Sequence, residues 1–418
     1  GGGLNIGVSG HDQDRHARVF LFDAFDEFVA RVNDEYRDWW RELNAAGWLR
    51  STYINEDSAV VNALANERFA AWHAETVRQA LQYDGQELSA STRRALDLLK
   101  FSTTMVAPDD DAKRGELAQI LTELEGMYGA GEYCRSGGDC LSGNELELRM
   151  QQSRDYDELL DLWQGWRKIA PPMRDKYQRF VELSNEGANN FGYSDLGDFW
   201  RSQYDMSSTE LSAETARLWE QVKPLYDELH CHVRARLGEY YGADKVAQDQ
   251  PIPAHLLGNM WAQGWGFLYD IMEPYPGVAS LDVDSTLRKK DYSPKEMVRN
   301  AEAFYVSLGL PRLPETFWER SQFTKPQDRE VVCHASAWGL DGGNDLRIKM
   351  CINQTYDELR VIYHELGHNY YQGAYKDQPP LFRGGAHGGF HEAIGDTVVL
   401  SMTPGYLEEV GLISSAQE

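Results

Sequence analysis

The sequence has no apolar run of the roughly 20 residues that a membrane-crossing helix needs; its most apolar stretches, such as Val398–Met402, are a few residues long. Basic residues are scarce beside acidic ones, 41 Lys+Arg against 66 Asp+Glu, giving a formal net charge of −25. So acidic a chain cannot lay a Lys/Arg stripe along a phosphate backbone, which argues against nucleic-acid partners and against docking on anionic lipid. There is no phosphate-binding loop, no nucleophilic-serine motif, no zinc-finger spacing of Cys and His, no fixed-period repeat and no low-complexity segment. What is present is globular in composition: 418 residues, 42% hydrophobic and 26% charged, enough for one large domain or two to three small ones. The negative balance suits a protein with an acidic internal channel that prefers basic or neutral substrates.

Cysteine is sparse, with five residues: Cys134, Cys140, Cys231, Cys333 and Cys351. Cys134 and Cys140 bracket a Gly-rich turn. Cys333 and Cys351 fall in two β-like runs around a Gly-Gly-Asn-Asp turn. Both spacings suit local disulfides and an oxidising compartment, but five ordinary buried thiols are an equal reading at this level. Cys231, on a helical stretch, is expected to be a small buried hydrophobe. The Gly1-Gly2-Gly3 start has no basic or apolar leader pattern, as in a mature, processed or engineered chain.

Most of the chain reads as helix. Val19–Trp48 carries Phe20, Phe22, Phe25, Phe28, Val29, Val32, Trp39, Trp40 and Leu43 at spacings of three and four. Ala59–Leu81 repeats the pattern, and Leu88–Met105, Gly115–Met127, Asp157–Lys168, Met173–Asn185 and Thr209–Tyr241 follow. Around Asp249–Pro253 the texture changes: prolines and glycines rise through Gly277, and a loop-rich segment follows to about Ser293. Ser293-Pro-Lys-Glu296 then has the form of a capping box with Pro in the first turn, opening a helix to about Leu308 that stops at Gly309. The one clear β signal is a hairpin, Val331–Trp338 and Leu346–Ile352.

Five of the eleven histidines lie between His334 and His391, and among them is His364-Glu365-Leu366-Gly367-His368. On a helix His364 and His368 are one turn apart and share a face, so both imidazoles can bind one metal, usually zinc. Glu365 lies beside them, within reach of a water held there. Chance alone gives this pattern in about 1% of chains of this length, so the motif needs a third ligand to exclude two solvent-facing histidines. Glu392 supplies it, 24 residues after His368, in Gly388-Gly-Phe-His-Glu-Ala-Ile-Gly-Asp396. Asp396, one turn further, can accept from a liganding imidazole and fix its tautomer. Two His and one Glu leave a fourth position open, the catalytic arrangement of zinc. His391 adjoins Glu392 but projects about 100° away and reads as packing or as support behind the ligands.

At these residues the chain resembles the angiotensin-converting enzyme family of zinc peptidyl-dipeptidases. The resemblance runs through His364–His368, Tyr375-Lys-Asp-Gln-Pro379 and Gly389–Asp396, and upstream through Cys333-His-Ala-Ser-Ala-Trp338, Gly258-Asn-Met-Trp-Ala-Gln263, Trp200-Arg-Ser-Gln-Tyr204 and Gly165-Trp-Arg167. It implies a mainly α, large helical metallopeptidase fold with a deep central channel, a small β-hairpin beside the HExxH helix and an N-terminal helical lid. In that reading residues 1–418 form a single catalytic domain whose C-terminal part is absent, with the lid over 1–105 and the zinc-site subregion over 325–400.

The resemblance further implies zinc on His364, His368 and Glu392, with Glu365 as general base. Cys134–Cys140 and Cys333–Cys351 become disulfides. His334 and the Ala335 backbone bind peptide, Gln263 helps hold the substrate's terminal carboxylate, and Arg167 and Tyr204 belong to two chloride sites. Secretion or a periplasmic location follows. Family members continue past the Glu392 helix, and that further stretch carries transition-state-stabilising His and Tyr residues, two carboxylate partners of Gln263 and the remaining chloride ligands. His387-Gly388 also stands where the family has Asn-Pro.

The leading expectation is therefore a zinc metallopeptidase that releases C-terminal dipeptides from oligopeptides. A zinc-binding, non-catalytic peptide or partner receptor is the alternative, and an oligopeptidase cutting internally is a third. An apolar face left without its cover would promote self-association.

Overall fold

The computed structural model describes residues 10–83, 85–129, 131–135, 138, 140–275 and 282–414, and the side chains within them except at 10–24, 122, 125 and 144. The Gly1–Gly3 start, the Phe20 and Phe22 side chains, Ser136, Gly137 and Asp139 of the Cys134–Cys140 turn, and Gly277 lie outside the described residues. The fold is mainly helical, with two small antiparallel hairpins. Contacts divide it into two compact units. One takes Gly1–Val106, Gln203–Asp205 and Ser280–Glu418; the other takes Ala107–Ser202 and Met206–Ala279.

In the first unit, helices Gly10–Thr52, Glu56–Leu81 and Ala90–Lys100 pack together through the aromatic positions that set their period. Tyr36 stacks on Trp72 and Trp39 meets Phe69 edge-on, with centroids 6.3 and 6.1 Å apart. Each helix after the first starts on a polar cap: Asn55 and Ser58 form a capping box, and Ser89 accepts from the Thr92 N–H. The long first helix is tied to the hairpin region, since Trp40 Nε1 donates to Gly339 O at 2.9 Å and Val332 N donates to Ser51 O at 2.9 Å.

The expected capping box at Ser293 is present, with Glu296 accepting from the Ser293 N–H at 2.7 Å. Its helix, Pro294–Ser307, ends before Gly309, whose φ of +89° suits glycine. This helix packs Met297, Val298, Ala301 and Tyr305 against Leu359, Ile362, Tyr363 and Leu366 of the Tyr356–Tyr375 helix, all nearly fully buried. That second helix contains the HExxH run. The core therefore grips the face opposite the histidines and sets their direction.

The hairpin is shorter than expected, Ser336–Gly339 against Leu346–Lys349, with Ser336 opposite Lys349. The reason lies in competing partners. Beyond Lys349 the backbone turns to another segment, with Met350 N donating to Gln322 O at 2.8 Å and Ile352 N to Phe323 O at 3.0 Å. The 331–335 run is held instead by the buried Lys349, whose Nζ donates to Val332 O at 2.7 Å and to His334 O at 2.5 Å. His334 and Ala335 thus precede the strand rather than belong to it.

The second unit has a core of its own, in which Leu159, Leu162 and Trp166 meet Val233 and Leu237 of the Ser208–Tyr241 helix. Its hairpin, Glu132–Cys134 with Cys140–Ser142, was not expected; three-residue strands are too short to show a period of two. Both disulfides are formed, Cys134–Cys140 and Cys333–Cys351. Cys231 is free but exposed, contrary to expectation. It stands 200° around the helix from Val233, whose face takes the core. Earlier in the same helix Leu218, Val222, Leu225 and Leu229 form an exposed apolar stripe at spacings of four, three and four.

Candidate metal centre

Two helices build the site. Tyr356–Tyr375 starts at Thr355, whose hydroxyl accepts from Glu358 N at 3.2 Å. Gly388–Val399 starts at His387, whose Nδ1 accepts from Phe390 N at 3.1 Å, so this histidine serves as the N-cap. The helices cross at Gly367 and Gly395: a Cβ on Gly367 would lie 2.9 Å from the Gly395 Cα. Only two glycines permit that approach, and the approach brings Glu392 over the two histidines.

The geometry is compact. His364 Nε2 and His368 Nε2 are 3.0 Å apart, and the Glu392 carboxylate lies 3.2 Å from the first and 3.8 Å from the second. Tetrahedral zinc with nitrogen and oxygen ligands near 2.0–2.1 Å places its donors roughly 3.3 Å from one another, within the spread seen here. One Glu365 carboxylate oxygen also lies within 4.8 Å of a nitrogen of each imidazole. Both glutamates can thus approach a cation, with Glu392 the nearer and Glu365 beside it.

Hydrogen-bond chemistry makes the same point. Asp396 Oδ1 is 2.9 Å from His364 Nδ1, so that nitrogen carries the proton and donates. In the neutral form that a metal ligand requires, His364 Nε2 is then a lone pair, and it faces a Glu392 oxygen, another acceptor. Two acceptors at 3.2 Å do not bond each other; a cation between them reconciles the contact. The donor set therefore fits a divalent metal of borderline softness such as zinc.

Burial sets the electrostatics. It lowers the pKa of His368, opposed by Glu392, which favours the neutral ligand form. It raises that of Glu365, whose side chain is buried; His364 opposes the rise and Glu392 adds to it, while His334 and Lys349 lie close enough to oppose it too. A carboxyl whose pKa is raised holds a proton more readily than an ordinary carboxylate does. His391 is pushed down to about 4, first by burial and then by the neighbouring His368. Glu392 and Asp396 are exposed on their helix.

The remaining expected residues fall as follows. His334 is exposed, and its Nδ1 donates to Ala335 O at 2.9 Å. Ala335 packs on the core of the first unit. Tyr204 lies with its ring 4.7 Å from that of His387, beside the start of the Glu392 helix. Gln263 belongs to the second unit, where it is exposed in a loop rather than on a helix, its N–H donated to Asn259 Oδ1 at 3.0 Å. Arg167, also in that unit, lies 3.5 Å over the Trp163 ring and donates to Trp163 O and Met260 O. Two residues of weight were not singled out from the sequence: Lys349, which reads as a polar strand position, and Tyr375, whose hydroxyl is 3.4 Å from His391 Nε2.

By fold and site the chain falls in the class of helical HExxH metallopeptidases. The family model for angiotensin-converting enzyme matches residues 23–418, and the chain belongs to that family. It is 38% identical to angiotensin-converting enzyme of Oryctolagus cuniculus over 393 residues, covering 93% of this chain and 30% of the rabbit protein. The Rattus norvegicus enzyme gives 38% over 395 residues and the Bos taurus enzyme 37% over 398, each again with 30% of the relative covered. The chain thus spans about 30% of the length of these curated relatives. Among the described residues no helix is long and apolar enough to cross a membrane.

Proposed function

We propose that this chain carries the active site of a zinc peptidyl-dipeptidase, which releases dipeptides from the C-termini of oligopeptides in an oxidising compartment, secreted or periplasmic. The observation that carries the reading is the convergence of acceptor atoms from His364, His368 and Glu392 on one point, which a cation would resolve. In this reading the two units act as one catalytic domain.

Zinc bound there would polarise a scissile carbonyl and acidify a water molecule. His364, His368 and Glu392 hold the ion, and Asp396 keeps His364 in the liganding tautomer. Glu365 takes a proton from the attacking water and returns it to the leaving amine nitrogen. The Ala335 backbone and His334 offer an extended peptide main-chain and imidazole hydrogen bonds beside the ion, with Lys349 fixing the carbonyls of that segment. Gln263 assists in holding the terminal carboxylate of the substrate. Chloride belongs to the same reading, at two separate places marked by Arg167 and Tyr204; the two hydrogen bonds of Arg167 use two of its five N–H donors.

The test is product mass analysis on short peptides with and without a chelator. Chelator-sensitive release of C-terminal dipeptides supports the proposal. Internal cuts would convert it to an oligopeptidase. Metal binding without turnover would favour a zinc-dependent receptor, a role the exposed Glu392 and Asp396 would also permit.

A further inference from the structure

We infer that His391 is the positioning residue of the second zinc ligand: its Nδ1 accepts the His368 Nδ1–H and so holds the His368 Nε2 lone pair on the side of His364 Nε2 and Glu392. The inference rests on His368 being a ligand, as proposed above. His368 Nδ1 and His391 Nδ1 are 2.7 Å apart, a full hydrogen bond, so one nitrogen carries a proton and the other does not. His368 Nε2 faces His364 Nε2 at 3.0 Å and Glu392 at 3.8 Å, and it can ligate only with its proton on Nδ1. His391 Nδ1 must then be the acceptor. Its own proton moves to Nε2, where the Tyr375 hydroxyl oxygen lies 3.4 Å away to receive it.

The chain of donors is consistent from end to end: His368 Nδ1–H to His391 Nδ1, and His391 Nε2–H to Tyr375. The ring of His391 is fixed laterally by Tyr371, 4.9 Å between centroids. The site is thereby supported symmetrically but by different chemistry. A carboxylate, Asp396, stands behind His364, and an imidazole stands behind His368. Sequence adjacency explains why one helix can do this. Glu392 faces His364 Nε2 and His368 Nε2, and His391, about 100° around the helix, reaches the rear of the His368 imidazole.

The test is zinc affinity of the full chain, measured by competition with a chromophoric chelator, for the native protein, His368→Ala, His391→Leu and His391→Asn. The asparagine amide oxygen can stand where Nδ1 stands and still accept. The leucine cannot. Expected are a loss of about 10- to 100-fold for His391→Leu and a loss under about threefold for His391→Asn. A folded His391→Leu that binds zinc as tightly as the native chain overturns the inference, as does His391→Asn failing as badly as His391→Leu, which would make ring volume the cause. If His391→Leu does not fold, His391→Asn decides alone: near-native affinity upholds the acceptor role and a tenfold loss overturns it. Undiminished binding by His368→Ala would instead defeat the ligand assignment itself.

Discussion

Gly395 lies directly against the His364 imidazole: a Cβ built at position 395 would stand 2.7 Å from His364 Nδ1 and 2.8 Å from Cγ. Real Cβ atoms do not approach so closely, so Gly395→Ala must push the ring or part the two helices. Overpacking of this kind costs about 1–3 kcal/mol. The expected outcome is a lowered melting temperature together with weaker zinc binding, because the ring that would move is a ligand. An alanine variant with native metal affinity and stability would show that the crossing is looser than described.

Glu365 and Glu392 are distinguishable by substitution. Glu365→Gln removes the proton acceptor and leaves the three proposed ligands, so zinc content should stay near one per chain while kcat falls by about 10²–10⁴. Glu392→Gln should lower zinc content itself. Metal analysis and turnover on the same preparations check both, and loss of zinc from Glu365→Gln would reverse the assigned roles.

Acid stability should report on His73. This fully buried histidine donates from Nε2 to Leu99 O at 2.8 Å, and burial pushes its pKa down to about 4 despite that bond. An unfolded chain binds the proton near the ordinary value of 6.5, the folded chain only near 4, so the folded state is favoured at full strength above pH 6.5. Stability is lost as pH falls from 6.5 toward 4, by about 3 kcal/mol from this residue. Denaturant melts between pH 7 and 4 should show the decline, and His73→Gln, which keeps a donor but does not titrate, should make it shallower, His255 and His391 supplying the remainder.

Thiol chemistry should find one reactive group. Cys134–Cys140 and Cys333–Cys351 are bonded, and Cys231 is exposed. A thiol reagent should therefore titrate one cysteine per chain without denaturant, and the count should not rise when the non-reduced protein is unfolded. Reduction should raise it to five.

The stripe Leu218, Val222, Leu225 and Leu229 should make the chain self-associate, because contiguous exposed apolar surface on one helix face is rarely left in water. Sedimentation at rising concentration should show species above 47.6 kDa. Leu225→Glu, at a position 74% exposed, should shift the balance toward monomer without affecting the melting temperature.

What the sequence determined by itself was periodic or local. His364 and His368 share a face because a helix repeats every 3.6 residues, and the Ser293–Glu296 cap forms because its partners are three residues apart. Asp396 was legible as support for a liganding imidazole from one helical turn of spacing beyond Glu392, and the folded chain gives it His364. Tertiary structure decided the rest. The Gly367–Gly395 crossing, not any local propensity, sets the distance from Glu392 to the histidines. The His391 contact with His368 depends on the rotation of one helix against another, which no spacing within either helix encodes. Cys231 lies in water because the core of its unit takes the Val233 face of the helix, and the hairpin ends at Ser336 because Gln322 and Phe323 win the backbone of Met350 and Ile352. Helical period and capping act over a few residues and can be read along the chain. Which of two partners a surface or a backbone group finally takes depends on free energies of packing between segments far apart in sequence, and only the folded chain settles them.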